Sequence, residues 1–296
     1  MTDVLPRLAD AALTGLAQGS MIALVALGYT MVYGVLRLIN FAHGEVFMAA
    51  AYAGLFAMTA LGGASDPSRA PFVAVAGTAL AMAGAAGLGM TIERVAYRPL
   101  RARGALSRVT PLVTAIACSV FLQNLAQLLF TARFRPYPRV LGHTRPVVFA
   151  VAVGVMIGLE IVVKRTWFGK AMRALAANEE AARLMGIPTS RVISATFALG
   201  SALAAVGAVL FCLDQSQVYP TMGFVLGTRA FVAAVLGGIG SIPGAMLGGL
   251  LLGVLGELVK LTDYSGGVDV LVFLVLVVVL LARPQGLLGS NAVEKV

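Results

Sequence analysis

The chain has 296 residues, 59% of them hydrophobic and only 12% charged, with a mean hydropathy of +0.92. A soluble domain is about 25% charged, so this composition excludes a soluble enzyme, and it excludes a disordered regulator, which needs low hydrophobicity and high charge. The net charge of +9 is read as a matter of membrane topology rather than as a nucleic-acid surface, because Lys and Arg collect in cytoplasmic loops.

Charge-free windows long enough to cross a bilayer mark the predicted spans. In chain order they run Ala11 to Leu36, Val46 to Ser65, Ala70 to Ile92 and Val109 to Ala132. Pro146 to Val163 carries one charge, Glu160, near its end, and Val192 to Leu213 carries none. Ala230 to Gly256 is uncharged but interrupted by the run from Gly237 to Gly244, and Val268 to Ala282 is short and rich in Val and Leu. The expected fold is all-α: a polytopic bundle of about eight apolar elements, one of them Gly-broken or re-entrant. The first segment lacks the basic start and small-residue cleavage site of a signal peptide and is read as a retained span. The 34 glycines suit helices packed closely in lipid. Cys118 and Cys212 lie in apolar runs and are read as inert thiols.

Three basic clusters set the orientation. They are Arg94, Arg98, Arg101, Arg103 and Arg108; then Lys164, Arg165, Lys170, Arg173, Arg183 and Arg191; then Arg283 and Lys295. All share one side, assigned to the cytoplasm, if the 230–256 element goes in and returns, or crosses together with a compensating re-entrant piece. The N-terminus is then outside, and so are Arg133, Arg135, Arg139 and Arg145, against the bias.

Three features could carry function. Asn40, Phe41, His43, Gly44 and Glu45 form a polar cluster between the first two spans. It reads either as a helix break lining a substrate path, or as a capped turn: Asn40 or His43 closes one helix, Gly44 permits the turn and Glu45 favours the next N-terminus. The second feature is the stretch from Phe168 to Val192. There Asn178 can cap a short helix from Glu179 to Met185 with Ala181, Leu184 and Met185 as its apolar stripe, stopped by Gly186 and Pro188. That stripe reads as docking into a soluble partner or as lying on the membrane surface. The third is the Gly-rich element, whose break at Gly237, Gly238, Gly240, Pro243 and Gly244 fits a discontinuous helix near a substrate or tight packing with a kink.

Some chemistries have no motif here. The sequence has no GxxxxGK[ST] phosphate loop, no metal-ligand spacing and no K⁺-filter signature. Glu160, Asp214 and Glu257 lie at span ends, where solvated roles are expected, and no mid-span carboxylate is expected.

The runs QGSMIALVALGYTMVYG (18–34) and LINFAHGE (38–45) resemble the N-terminal signature of the branched-chain amino acid ABC transporter permeases. EAARLMGI (180–187) resembles the loop by which such permeases engage their ATPases, and FVAAVLGGIGSIPGA (231–245) and RPQGLLG (283–289) resemble the family's C-terminal half. The resemblance implies a single permease domain over 1–296, of the type II importer kind, in the bacterial inner membrane. Residues 165–190 would form a cytoplasmic ATPase-coupling loop, with Glu179, Glu180, Ala181, Ala182, Gly186 and Ile187 in contact with the ATPase. It further implies a second related permease, two cytoplasmic ATPases and a periplasmic solute-binding protein as partners, with membrane lipid around them and no nucleic acid. No cofactor would be bound by this chain, and ATP and Mg would be used by the partner subunits. The implied function is import of Leu, Ile and Val by alternating access. Urea, short amides or other amino acids remain open as solutes, and a secondary transporter is a remote alternative.

Overall fold

The computed structural model describes residues 4–63, 68–102, 109–140, 144–262 and 264–289. Arg103, Arg108, His143 and Lys295 lie outside the described residues. Among the described residues, six helices are long and apolar enough to cross a membrane. They are α1 (Val4–Leu36), α3 (Ala70–Ile92, continued through a π-helical turn at Glu93–Tyr97 into α4, Arg98–Ala102), α5 (Val109–Phe130), α6 (Thr144–Arg165), α9 (Thr189–Gln215) and α11 (Ile242–Lys260). The shorter apolar helices α10 (Met222–Gly237) and α12 (Val268–Ala282) complete the C-terminal half. The predicted 230–256 element is therefore two helices that form a hairpin, as its glycines suggested. Helix α2 (His43–Ala60) is central and buried, and α7 (Trp167–Ala177) and α8 (Glu179–Leu184) are short.

The bundle is organised around α1 and α9, whose most apolar windows are 78% and 83% buried, against 11% for α5. Glycine sets the separations. Helix α11 carries two glycine faces. Gly249 and Gly253 lie on Ala23, Gly19 and Gly15 of α1, and Gly244 and Gly248 lie on Gly237 and Ala233 of α10. Backbones meet because no side chain stands between them. Gly28 and Gly200 make the same approach between α1 and α9.

The two ends of the bundle differ. At one end the last turn of α1, Ala176 of α7, the α10–α11 turn and Leu288 line a common cleft. The tail after α12 folds back there, with Leu287 N donating to Leu236 O at 2.8 Å and Leu288 N to Gly237 O at 2.9 Å. At the opposite end Arg145 pairs with Asp10 at 3.2 Å. Strands β1 (Arg135–Pro136) and β2 (Gln217–Val218) pair antiparallel there, and Arg139 donates to Ser216 at 3.2 Å. Arg135, Arg139 and Arg145 thus lie at the end away from α7 and α8, as the topology required, each with a partner.

The first basic cluster is not a loop. Arg94, Arg98 and Arg101 continue the third span as helix, because Glu93 gives Arg101 an acceptor one π-helical turn and one α-helical turn away. Each acid at a span end has a partner: Glu160 pairs with Lys164 at 2.5 Å, Glu257 with Lys260, and Asp214 accepts from Gln215. Glu257 is buried rather than solvated as expected.

Candidate functional site

The chain between α1 and α2 decides where the polar cluster sits. α1 ends at Leu36, followed by Arg37 in the left-handed region (φ 53°). The chain then turns back, and α2 begins at His43, against Gly28 of α1 and the Gly200 region of α9. Those positions lie about two to three helical turns inside the respective helix ends. α2 therefore starts within the bundle.

Asn40 stays outside α2 and is 4% exposed. Its Oδ1 accepts from Ala42 N at 3.1 Å and from the Tyr97 hydroxyl at 3.0 Å. The first bond is the local turn that Asn side chains favour. Asn40 thus shapes the turn but closes no helix; Arg37 does that. Phe41 stacks obliquely on Phe231, with centroids 5.4 Å apart. His43 is fully helical and buried, edge-on to Tyr29 at 4.8 Å. One ring nitrogen bonds the Val25 carbonyl, and Nε2 has no partner. Gly44 makes no turn. It is helical, and a Cβ there would meet Gly223 O at 2.5 Å and Gly227 Cα at 3.1 Å of α10. Its role is the close approach of two helices.

Glu45 lies in the first turn of α2, as expected, but it is only 1% exposed. This corrects the expectation that no carboxylate lies mid-span. Oε1 is 3.5 Å from the Ser119 hydroxyl of α5, and Oε2 has no hydrogen-bond partner. Glu45 lines a recess of about 180 Å³ with Tyr29, Phe41, Ser119, Gln123, Gly223 and Phe231 among its walls.

The coupling segment is capped twice. Thr166 accepts from Gly169 N at 3.3 Å to start α7, and Asn178 accepts from Ala181 N at 2.9 Å to start α8. Gly186 stops α8 with φ +81°. Asn178→Ala is expected to cost α8 about 1 kcal/mol, read as faster amide exchange over Glu179–Leu184 with the spans unchanged. Ala182 is the residue of α8 that faces the core. Ala181, Leu184 and Met185 are exposed, the last two at 82% and 83%. Glu180 is exposed and Ile187 is half-buried.

Glu93 and Tyr97, not singled out in the sequence, tie α8 to α2 together with Arg101 of the first basic cluster. Glu93 is fully buried; it accepts from Arg101 at 2.6 Å and from Ser194 of α9 at 2.6 Å. Arg101 also stands 3.8 Å from Glu179. On the same π-helical turn as Glu93, Tyr97 holds Asn40. Glu179, Arg101, Glu93, Tyr97 and Asn40 are thus one polar line from the exposed helix to the start of α2. Only the charge pattern ERVAYRPLR at 93–101 signals it, and that reads equally as a basic loop. Tyr97→Phe removes the bond to Asn40 and is expected to cost about 1 kcal/mol, measured as a lowered melting temperature of the solubilised protein.

The Gly-broken turn lies apart from the recess. Gly238 (φ +103°) and Gly240 (φ +96°) make the turn, Ser241 caps α11 by accepting from Gly244 N at 3.2 Å, and Pro243 sits in the first helical turn. Gly237 and Gly244 close the hairpin on each other. These residues stand at the end that carries α7, beside the C-terminal tail, and not with Glu45.

Residues 11–281 match the family model of the branched-chain amino acid transport system permease component. The chain is 43% identical to the high-affinity branched-chain amino acid transport system permease protein BraD of Pseudomonas aeruginosa, over 95% of this chain and 96% of the relative. It is 42% identical to the corresponding LivH protein of Escherichia coli K12 over the same shares. It is 25% identical to a probable LivH of Methanocaldococcus jannaschii over 92% and 90%. No solved structure matches. With its six membrane-length helices, the chain is a multi-pass membrane protein that belongs to the family of branched-chain amino acid transport permeases.

Proposed function

We propose that this chain is the membrane-spanning subunit of an ATP-driven importer of leucine, isoleucine and valine in the bacterial inner membrane. It works with a second related permease, two cytoplasmic ATPases and a periplasmic solute-binding protein. The chain supplies a path and no catalysis; ATP and Mg are consumed by the partners. The substrate reading rests on what the relatives at 42% and 43% identity are named for.

The coupling reading rests on one observation. α8 is tied to the buried core through Glu179 and Arg101, yet it holds Leu184 and Met185 almost wholly out of the bundle. Apolar side chains held so far out on a rigidly capped helix suit a groove on a partner. Residues 165–190 are then the coupling loop, with Glu179, Glu180, Ala181, Ala182, Gly186 and Ile187 at or beside the contact. Closure of the ATPase pair moves α8, and the polar line carries that motion to the start of α2.

Uptake of labelled leucine in the native host, with and without the gene, tests the substrate. Loss of ATP-dependent uptake that valine competes for supports the proposal. Unchanged leucine uptake with loss of urea or amide uptake overturns the substrate and keeps the architecture. Glu180→Ala with Gly186→Leu is expected to reduce uptake and ATPase association together; unchanged association sinks the coupling assignment. Gly186 has open space around its Cβ position, so the leucine is opposed by its positive φ, a cost of about 1–3 kcal/mol, and by the groove it would meet.

A further inference from the structure

We propose that the recess between α2, α5 and α10 is a subsite for the zwitterionic head of an α-amino acid. Glu45 receives the α-ammonium group, the N-terminus of α10 receives the α-carboxylate, and the aromatic walls hold an apolar side chain. The inference rests on the amino acid import reading above and deepens it.

Glu45 is 1% exposed, it lines the recess, and its Oε2 has no partner. A buried carboxylate oxygen without a donor is costly, and an ionisable group at this depth of a membrane protein faces a path or a pair. The Ser119 hydroxyl donates only to the other oxygen, and at 3.5 Å. An ammonium group brings three donors and the complementary charge.

The second partner is a helix end. α10 begins at the buried Met222, and its exposed N-cap Thr221 makes no side-chain cap bond. The first turn of such a helix presents unsatisfied N–H groups and a partial positive charge. Gly223 and Phe224, in that turn, line the recess. Met222 N is taken by Tyr219 O at 3.2 Å, so the N–H groups the recess can use are those of Gly223 and Phe224.

The spacing fits one small head group. Both charges of an α-amino acid are carried on substituents of a single carbon, so their partners must lie close together. Glu45 Oε2 is 2.8 Å from the point a Cβ on Gly223 would occupy. Glycine at 44, 223 and 227 brings α2 and α10 together here, which is what places carboxylate and helix end side by side. Around them stand Phe41, Phe224, Phe231, Ile116 and Val120, a surface for a branched aliphatic side chain. A bare cation would need the carboxylate alone and would leave the helix end and the apolar walls without a role.

The test is a labelling experiment on membrane vesicles of the native host. The permease carries Gln123→Cys as a reporter on the recess wall, with Cys118 and Cys212 replaced by alanine. The rate of modification by a small thiol reagent is measured with leucine, with 4-methylpentanoate, which lacks the ammonium group, and with 3-methylbutylamine, which lacks the carboxylate. Leucine is expected to protect the introduced thiol, and each analogue to need a concentration about tenfold higher or more, one charge-assisted contact having been lost. Glu45→Gln is expected to abolish the preference for leucine over 4-methylpentanoate. Equal protection by either analogue overturns the zwitterion assignment, and so does absence of protection by leucine. The analogue series needs no change at Glu45, so it stands if Glu45→Gln fails to assemble. A host that takes up leucine independently of this gene overturns the import reading instead, which keeps the two failures apart.

Discussion

Gly253→Leu is expected to prevent assembly of the bundle. A Cβ at Gly253 meets the backbone of Gly15 and Gly19, and one at Gly19 meets Leu250 Cα and Gly249 O, both at 2.8 Å. These are main-chain atoms of two helices in register, and no rotamer change relieves them. Ordinary overpacking of a core costs about 1–3 kcal/mol. Here α1 and α11 must move apart along their whole seam, so the loss should exceed that range. The expected readout is absence of monodisperse protein after solubilisation, with Gly253→Ala intermediate. Gly158→Leu is the control. A Cβ at Gly158 meets nothing within 4 Å, so its yield should match the parent. Equal yields for Gly253→Leu and Gly158→Leu would show that the α1–α11 seam does not hold the fold.

Arg101→Ala is expected to be the most damaging change on the polar line. It leaves Glu93 with only the Ser194 hydroxyl of its two side-chain donors, in a site with no exposure. Breaking a buried pair from one side costs about 3–5 kcal/mol, because the remaining charge is uncompensated. It also frees Glu179, so uptake should fall further than stability alone explains. The double change Arg101→Met with Glu93→Met removes both charges. It should recover most of the melting temperature, since an apolar replacement of a buried pair is often neutral, without recovering coupling. Recovery of uptake alongside stability would mean that the line is structural and carries no motion.

Glycine spacing shows how far a sequence can be read. Gly249 and Gly253 are four residues apart, and so are Gly154 and Gly158. The first pair is a helix seam and the second faces open space, because small-residue spacing states that a close approach is possible and leaves out whether a neighbour is there. In the same way the best windows of α1, α3 and α5 share a hydropathy of 1.7 but are 78%, 28% and 11% buried. In lipid an apolar side chain is equally at home on either face, so hydropathy cannot separate the centre of the bundle from its rim.

By itself the sequence determined that the chain is a multi-pass helical membrane protein, where most of its apolar helices lie, that the Gly-rich element is interrupted, and the cap at Asn178. Each of these follows from local rules: the length of an apolar run against the bilayer, and the cap and turn chemistry of single residues. The family was legible only through the resemblance of the motifs at 18–45, 180–187, 231–245 and 283–289. The predicted span Val46 to Ser65 falls on α2, which is not among the six membrane-length helices, and α1 and α10 begin well before their predicted starts. The tertiary structure alone decided that α2 starts inside the bundle, that Glu45 is buried there beside the N-terminus of α10, that Glu93 is buried and paired with a half-buried Arg101 in a helix rather than a loop, and that the Gly-broken turn stands apart from the recess. Each of these depends on which helices are neighbours, and a partner many residues distant leaves no periodic mark on the chain.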